Sequence, residues 1–375
     1  MRIFVVFPRR GSVYITESQI WLKHIIPSLT NLGHDIVLMD YDYERLHSID
    51  PSSLENEDAL RADFSQSIYD QVVQTHNEKP IDLFFSYLYS RAVESRVITD
   101  IRSLGILTLN FSCNNAHQFS TVEKIAPLFD YCMVPERQAL QKFQEVGARP
   151  IHVQMGANQN LFQRLEKSRE DSVVFVGTKY ADRAAYLSAI VKSDVSLKVW
   201  GPMWQRPEIV DLASRGIFAF RAGGLPRAMR GLRRLVTGWG VDQTVAKVAG
   251  PALTDEAMVD AYNTSAIALN FSKALLEDGD GSYVRHIRMR DFEIPMTGIL
   301  GMLEFSEELE EYYDIGTEVV TFETPEDLAD KARYYMKHER ERVKIAEAGY
   351  QRAIQNHTWE ARFRSAFLQI GLGDL

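Results

Sequence analysis

Arg290-Asp291-Phe292-Glu293-Ile294-Pro295-Met296-Thr297-Gly298 is followed at once by a mostly apolar run, 299–305. The first part reads as a helix end and the second as a buried strand, so the stretch delivers one carboxylate, Glu293, to the edge of a sheet. Just upstream lie Arg285, His286 and Arg288, which with Arg290 gather cationic chemistry in front of that carboxylate. If this segment is helical, Arg285 and Arg288 share a face, whereas Arg290 points elsewhere. The expectation is that Arg285 and Arg288 meet an anion and that Arg290 pairs with an acidic neighbour.

Working back to the start, short apolar runs alternate with longer amphipathic stretches. Residues 3–7, 35–39, 81–85 and 107–111 read as strands, with helical spacing between them, as in Leu60, Phe64, Ile68 and Val72. Residues 131–134, 137–146 and 151–155 add a strand, a helix and a strand. A second series opens at Ser172: strand 173–176, the turn Gly177-Thr178, helix 183–192 and strand 197–200. This is the rhythm of parallel α/β sheets. The pattern breaks at 157–171, so the predicted domains are 1–160, 170–351 and a terminal segment, 352–375. A basic, glycine-punctuated insert at 212–254 interrupts the second series, and 304–330 is strongly acidic.

The 375 residues are 45% hydrophobic, enough for two cores. A formal charge of −9 argues against nucleic acid as a partner. Cys113 and Cys132 are the only cysteines, without metal-ligand or disulfide-framework spacing, which fits a reducing, cytoplasmic setting. No long apolar span or signal-peptide core is evident, so any membrane role would be peripheral.

Two anion-binding features stand out. The strand-turn at Val173-Val174-Phe175-Val176-Gly177-Thr178 presents backbone N–H groups at a carboxyl edge, with Lys179 and Arg183 in the next turn. Trp200-Gly201-Pro202 follows the next strand. Several cations suit a diphosphate, whose oxygens keep charge that must be paired.

The segment 290–298, together with 329–335, 338–349 and His357-Thr358-Trp359, resembles the C-terminal half of CgeB-like (spore-maturation type) glycosyltransferases. Gly33-His34-Asp35-Ile36-Val37 is similar to the N-terminal signature of the same GT-B fold. The resemblance implies two Rossmann-like domains facing each other across a cleft and a C-terminal helix crossing back to the first domain. It implies a nucleotide-sugar donor, UDP-, GDP- or dTDP-linked, bound by the second domain, and a glycan, protein or small-molecule acceptor on the first. Glu293 would accept from the ribose hydroxyls. Gly177, Thr178, Lys179, Arg183, Asn270, Arg285 and Arg288 would line the phosphates, and Trp200, Gly201 and Tyr262 the base. The family's retaining members often carry a Glu eight positions before Glu293, where this chain has Arg285, so retaining and inverting chemistry both stay open.

An inverting enzyme needs a general base; candidates are His117 and Glu17, with Asp40, Asp42, Asn114 and Asn115 in similar loops. A histidine can titrate near neutrality, although a loop histidine is ordinarily a surface or hydrogen-bonding group. Asp40-Tyr41-Asp42 and Asp278-Gly279-Asp280 match the Asp-x-Asp triplet of metal-dependent transferases, but without histidine partners. The expectation is therefore metal-independent transfer with no cofactor beyond the nucleotide-sugar co-substrate. The lack of G-x-G-x-x-G after either first strand argues against a dehydrogenase. A nucleotide-sugar epimerase of the same fold, or a non-catalytic nucleotide-sugar or glycan-binding protein in envelope or spore-coat assembly, remain alternatives.

Overall fold

From Ile3 to Val6 every side chain is apolar, the composition of a strand covered on both faces. In the computed structural model, which describes residues 1–8, 21–41, 54–204, 239–276 and 282–373, Arg2–Val6 forms β1 with Ile3–Val6 buried. It is flanked in parallel by β2 (Asp35–Leu38) and β3 (Leu83–Ser86), with Ile3 opposite both Ile36 and Leu83. The sheet continues through β4 (Leu107–Phe111), β5 (Tyr131–Val134) and β6 (Pro150–His152) in the order β2-β1-β3-β4-β5-β6. The period of two sends Phe4, Val6 and Phe84 to one core, where Phe64, Ile68 and Val72 of the helix Leu54–Glu78 cover them. Ile3, Val5, Leu83 and Phe85 face the other core.

That second core is closed by the helix Trp359–Gln369, whose Trp359, Phe363 and Phe367 pack with Ile25, Leu29 and Phe111. His357-Thr358-Trp359 makes the seam. Thr358 caps the helix by accepting from the Ala361 N–H, and the Ala157 N–H and carbonyl bond to His357 and Trp359. Gly156 has no room for a side chain, because a Cβ would lie 2.8 Å from the Trp359 nitrogen.

The other sheet is wholly parallel too. It comprises β7 (Glu170–Val176), β8 (Leu197–Trp200), β9 (Ala249–Gly250), β10 (Ser265–Asn270), β13 (Leu300–Glu304) and β14 (Val320–Phe322), in the order β14-β13-β10-β7-β8-β9. β11 (Lys273–Leu275) and β12 (Tyr283–Arg285) form a separate two-stranded ribbon. The helices Arg183–Lys192 and Pro325–Lys337 contribute Leu187, Ile190, Leu328 and Ala332 to the core built on Val173, Phe175, Ile267 and Leu269.

The chain divides into two compact units: Met1–Leu161 with Ala274–Glu293 and Ala353–Leu375, and Phe162–Lys273 with Ile294–Arg352. The contiguous domain 170–351 read from the sequence is thus interrupted. Residues 274–293 belong with the first unit, where Gln138 Nε2 donates to the Arg285 carbonyl at 3.2 Å and His286 lies against Glu136. The strand expected at 151–155 shrinks to Pro150–His152.

Candidate functional site

In the unit that holds residues 162–273, the strand order reverses between β7 and β10, the point where open parallel sheets present loops to ligands. Gly177 follows β7, and Asn270 ends β10. Gly201, after β8, runs so near Gly177 that a Cβ would sit 2.2 Å from its carbonyl oxygen, and its φ is +150°. Only glycine permits that approach. The same carbonyl accepts from the Trp204 indole at 2.7 Å.

Beside this edge lies a charge cluster, buried at Lys273 and Glu304 and open to solvent at Asp182. Lys273 Nζ is 2.7 Å from Asp182, 3.0 Å from Glu304 and 3.1 Å from the Tyr186 hydroxyl. Glu304 is sealed from solvent and also accepts from the Ser272 N–H at 2.9 Å and the Lys273 N–H at 3.1 Å. Burial pulls the Lys273 pKa down, but the bonds to Asp182, Tyr186 and Glu304 outweigh it and raise it above the usual lysine value. Lys273 therefore keeps its charge.

In the first unit, Glu293 is also completely buried. One of its oxygens takes a short hydrogen bond from Arg290, and the other, 3.7 Å from His24 Nδ1, has no hydrogen-bond partner among the described residues. Burial drives the His24 pKa down to about 4, with Glu293 opposing and Arg290 and Lys23 reinforcing the fall. His24 is therefore neutral at pH 7.

A second buried pair sits past β4 and β5. Glu136 accepts from the backbone N–H groups of Asn114, at 2.5 Å, and Asn115, at 3.4 Å, and lies 3.6 Å from His286 Nδ1. His117, in the short helix Asn115–Gln118, sets its ring edge-on to His286 with centroids 5.9 Å apart. Cys113, pushed up to about 12 chiefly by burial, is a thiol here and not a nucleophilic thiolate.

Several sequence readings change. The helix begins only at Arg290, because the Asp291 carboxylate accepts from the Arg288 N–H at 2.7 Å. Arg285 ends β12 and Arg288 lies in the turn, so they do not share a helical face; Arg285 instead stacks over Tyr283. Arg290 has an acidic partner, and that partner is Glu293. Tyr262, expected at the base, is wholly buried in the helix Asp255–Asn263 and offers no surface to a ligand. Trp200 lays its ring over the Gly250 backbone, where a Cβ would be 2.1 Å away, which is a packing role. Arg183 is turned onto its own loop, donating to the Thr178 carbonyl at 2.9 Å and lying over Phe175 and Phe271. Thr178 and Lys179 are half-buried at the reversal, and Asn270 is nearly buried.

Glu17, Asp42, Asp278, Asp280 and the arginines of the basic insert lie outside the described residues. Among the described residues no three His, Cys, Asp or Glu side chains gather as metal ligands would. The sequence reading missed His24, Glu136, Lys273, Glu304 and Trp204. Trp204 stands four residues after Trp200, Lys273 three after Asn270, and Glu304 within the run 299–305, all close to stretches that had drawn attention.

Known proteins share this fold. The whole chain superposes on a sucrose-phosphate synthase (tll1590) from Thermosynechococcus elongatus, with TM-score 0.61, 12% identity, and 99% of this chain and 98% of that one covered. Anabaena Alr3699/HepE in complex with UDP gives 0.61 at 10% identity, covering 99% and 100%. The fold is that of the GT-B glycosyltransferases. Residues 183–367 of this GT-B chain also match the Glyco_trans_1_2 family, described as glycosyl transferase-like. A putative UDP-N-acetylglucosamine 2-epimerase from Listeria monocytogenes shares the GT-B architecture at TM-score 0.52 and 11% identity, covering 98% and 97%. No curated protein matches the chain by sequence. No helix among the described residues is long and apolar enough to cross a membrane.

Proposed function

We propose that the chain is a CgeB-like glycosyltransferase that moves a hexose from a UDP-, GDP- or dTDP-linked donor to a hydroxyl of a glycan, protein or small-molecule acceptor. One observation carries the reading. The glycosyl transferase-like match begins at Arg183, and the turn just before it, Gly177-Thr178-Lys179, stands at the strand-order reversal of a Rossmann-like sheet. A similar chain, HepE, has been seen with UDP.

In this reading the Gly177–Lys179 turn takes the diphosphate without a metal ion. Glu293 takes the ribose hydroxyls. Its buried, unsatisfied oxygen supports that role, since a carboxylate oxygen lacking a partner is costly and a hydroxyl donor relieves it. His117, beside the Glu136–His286 pair, is the candidate base. Two unpaired cysteines suit a cytoplasmic setting.

The test is to mix the protein with UDP-, GDP- and dTDP-linked hexoses and follow thermal shift and product. Transfer or slow hydrolysis with EDTA present is expected, with stabilisation by one nucleotide. An epimerised sugar would replace the reading with an epimerase. Binding without turnover would make the chain a binding protein, and loss of turnover in EDTA would refute metal independence.

A further inference from the structure

Building on that reading, we infer that Trp204 is a positioning residue: by holding the Gly177 carbonyl, its indole aims the Thr178 N–H as a fixed hydrogen-bond donor to a phosphate of the nucleotide. The indole nitrogen is 2.7 Å from the Gly177 oxygen, and Trp204 is buried edge-on against Phe175, with centroids 6.1 Å apart at 87°. Gly201 presses on the same carbonyl. The oxygen is therefore gripped by both neighbours.

A planar trans peptide points its carbonyl and the following N–H in opposite directions. Fixing the Gly177 oxygen on Trp204 thus fixes the Thr178 N–H away from it. The flanking N–H groups are both used: Gly177 donates to the Trp200 carbonyl at 2.8 Å and Lys179 to that of Pro202 at 3.3 Å. That of Thr178 has no acceptor among the described residues, although Thr178 is half-buried. A backbone donor left open beside the strand-order reversal calls for an external acceptor, and an anionic oxygen fits best. Indole suits the task because it can only donate and its ring is rigid. Trp200 cannot substitute, since its ring is committed to Gly250.

Trp204→Phe keeps most of the ring and removes the donor. Calorimetry should show its affinity for inorganic pyrophosphate, and for whichever of UDP, GDP and dTDP the wild type binds, falling roughly tenfold, with the matching nucleoside changed less than about twofold. Equal losses for nucleoside and nucleoside diphosphate would reduce Trp204 to packing and overturn the inference. In wild-type protein labelled with ¹⁵N-threonine, the Thr178 amide resonance, identified by its loss in Thr178→Ser, should move on saturation with pyrophosphate. A resonance that stays put would overturn the inference even if Trp204→Phe fails to fold. A wild type that binds none of the three nucleotides nor pyrophosphate would refute the proposed function itself, and this inference with it.

Discussion

Glu293 and Glu304 are both sealed from water, yet they are kept in opposite ways. Glu304 accepts from two backbone N–H groups and the Ser272 hydroxyl on one oxygen, and its other oxygen lies 3.0 Å from the Lys273 ammonium, so both oxygens face donors or charge from its own unit. Glu293 is met on one oxygen by Arg290 and faces a neutral histidine on the other. Burial alone does not separate structural from ligand-binding carboxylates. What faces the second oxygen does: an ammonium compensates that of Glu304, whereas a neutral imidazole 3.7 Å away leaves that of Glu293 open to an external donor.

The strongest way to break this contrast is Glu304→Ala. It should take one of two carboxylates from the Lys273 ammonium, leaving Asp182, and the acceptor from the buried Ser272 and Lys273 N–H groups, and cost roughly 3–5 kcal/mol in urea unfolding. Combining it with Lys273→Met should recover much of the loss. A Glu304→Ala protein of wild-type stability would show that the cluster holds nothing.

The pH dependence separates the two regions further. The folded His24 pKa, about 4, lies below the unfolded value of 6.5, so its contribution is whole above pH 6.5 and is lost as pH falls toward 4. The shift corresponds to about 3 kcal/mol. Lys273 has the opposite sign: its raised pKa stabilises the fold below the ordinary lysine value and the benefit fades only in strong alkali. Urea midpoints between pH 7 and 4 should therefore fall less steeply in His24→Phe than in wild type. Parallel curves would remove His24 from the account.

Glu293→Ala should sharpen the comparison from the other side. Donor affinity should drop by roughly 1.5–3 kcal/mol for each charge-assisted bond lost, with the fold intact. Unchanged nucleotide affinity by calorimetry in a folded variant would end the ribose assignment. The smallest effect belongs to Tyr262→Phe, which keeps the wholly buried ring and should leave nucleotide binding unchanged. Weakened binding there would return Tyr262 to the site.

Local pattern carried much of the fold. The strands Leu107–Phe111, Tyr131–Val134 and Leu197–Trp200 and the helix Arg183–Lys192 fall where apolar period and flanking breaks put them. Legibility ended where partners are distant in the chain. The return of Ala274–Glu293 to the first unit depends on Gln138 and Glu136, and the Lys273 cluster joins Asp182 to Glu304 across two strands. The helical pairing of Arg285 with Arg288 failed for a local reason: Asp291 starts the helix later than the charge spacing suggested. Nor does periodicity tell which of Trp200 and Trp204 finds a carbonyl. That is decided by the backbone approach of Gly201 to Gly177.

The closing of one core by Trp359, Phe363 and Phe367 has a consequence for synthesis. The sheet translated first is the last to be finished, because one of its apolar faces stays uncovered until residues 359–367 leave the ribosome. The unit assembled from Phe162–Lys273 and Ile294–Arg352 has all its residues earlier. Nascent chains halted before Trp359 should thus combine a protease-resistant later unit with an earlier one that still binds hydrophobic dye.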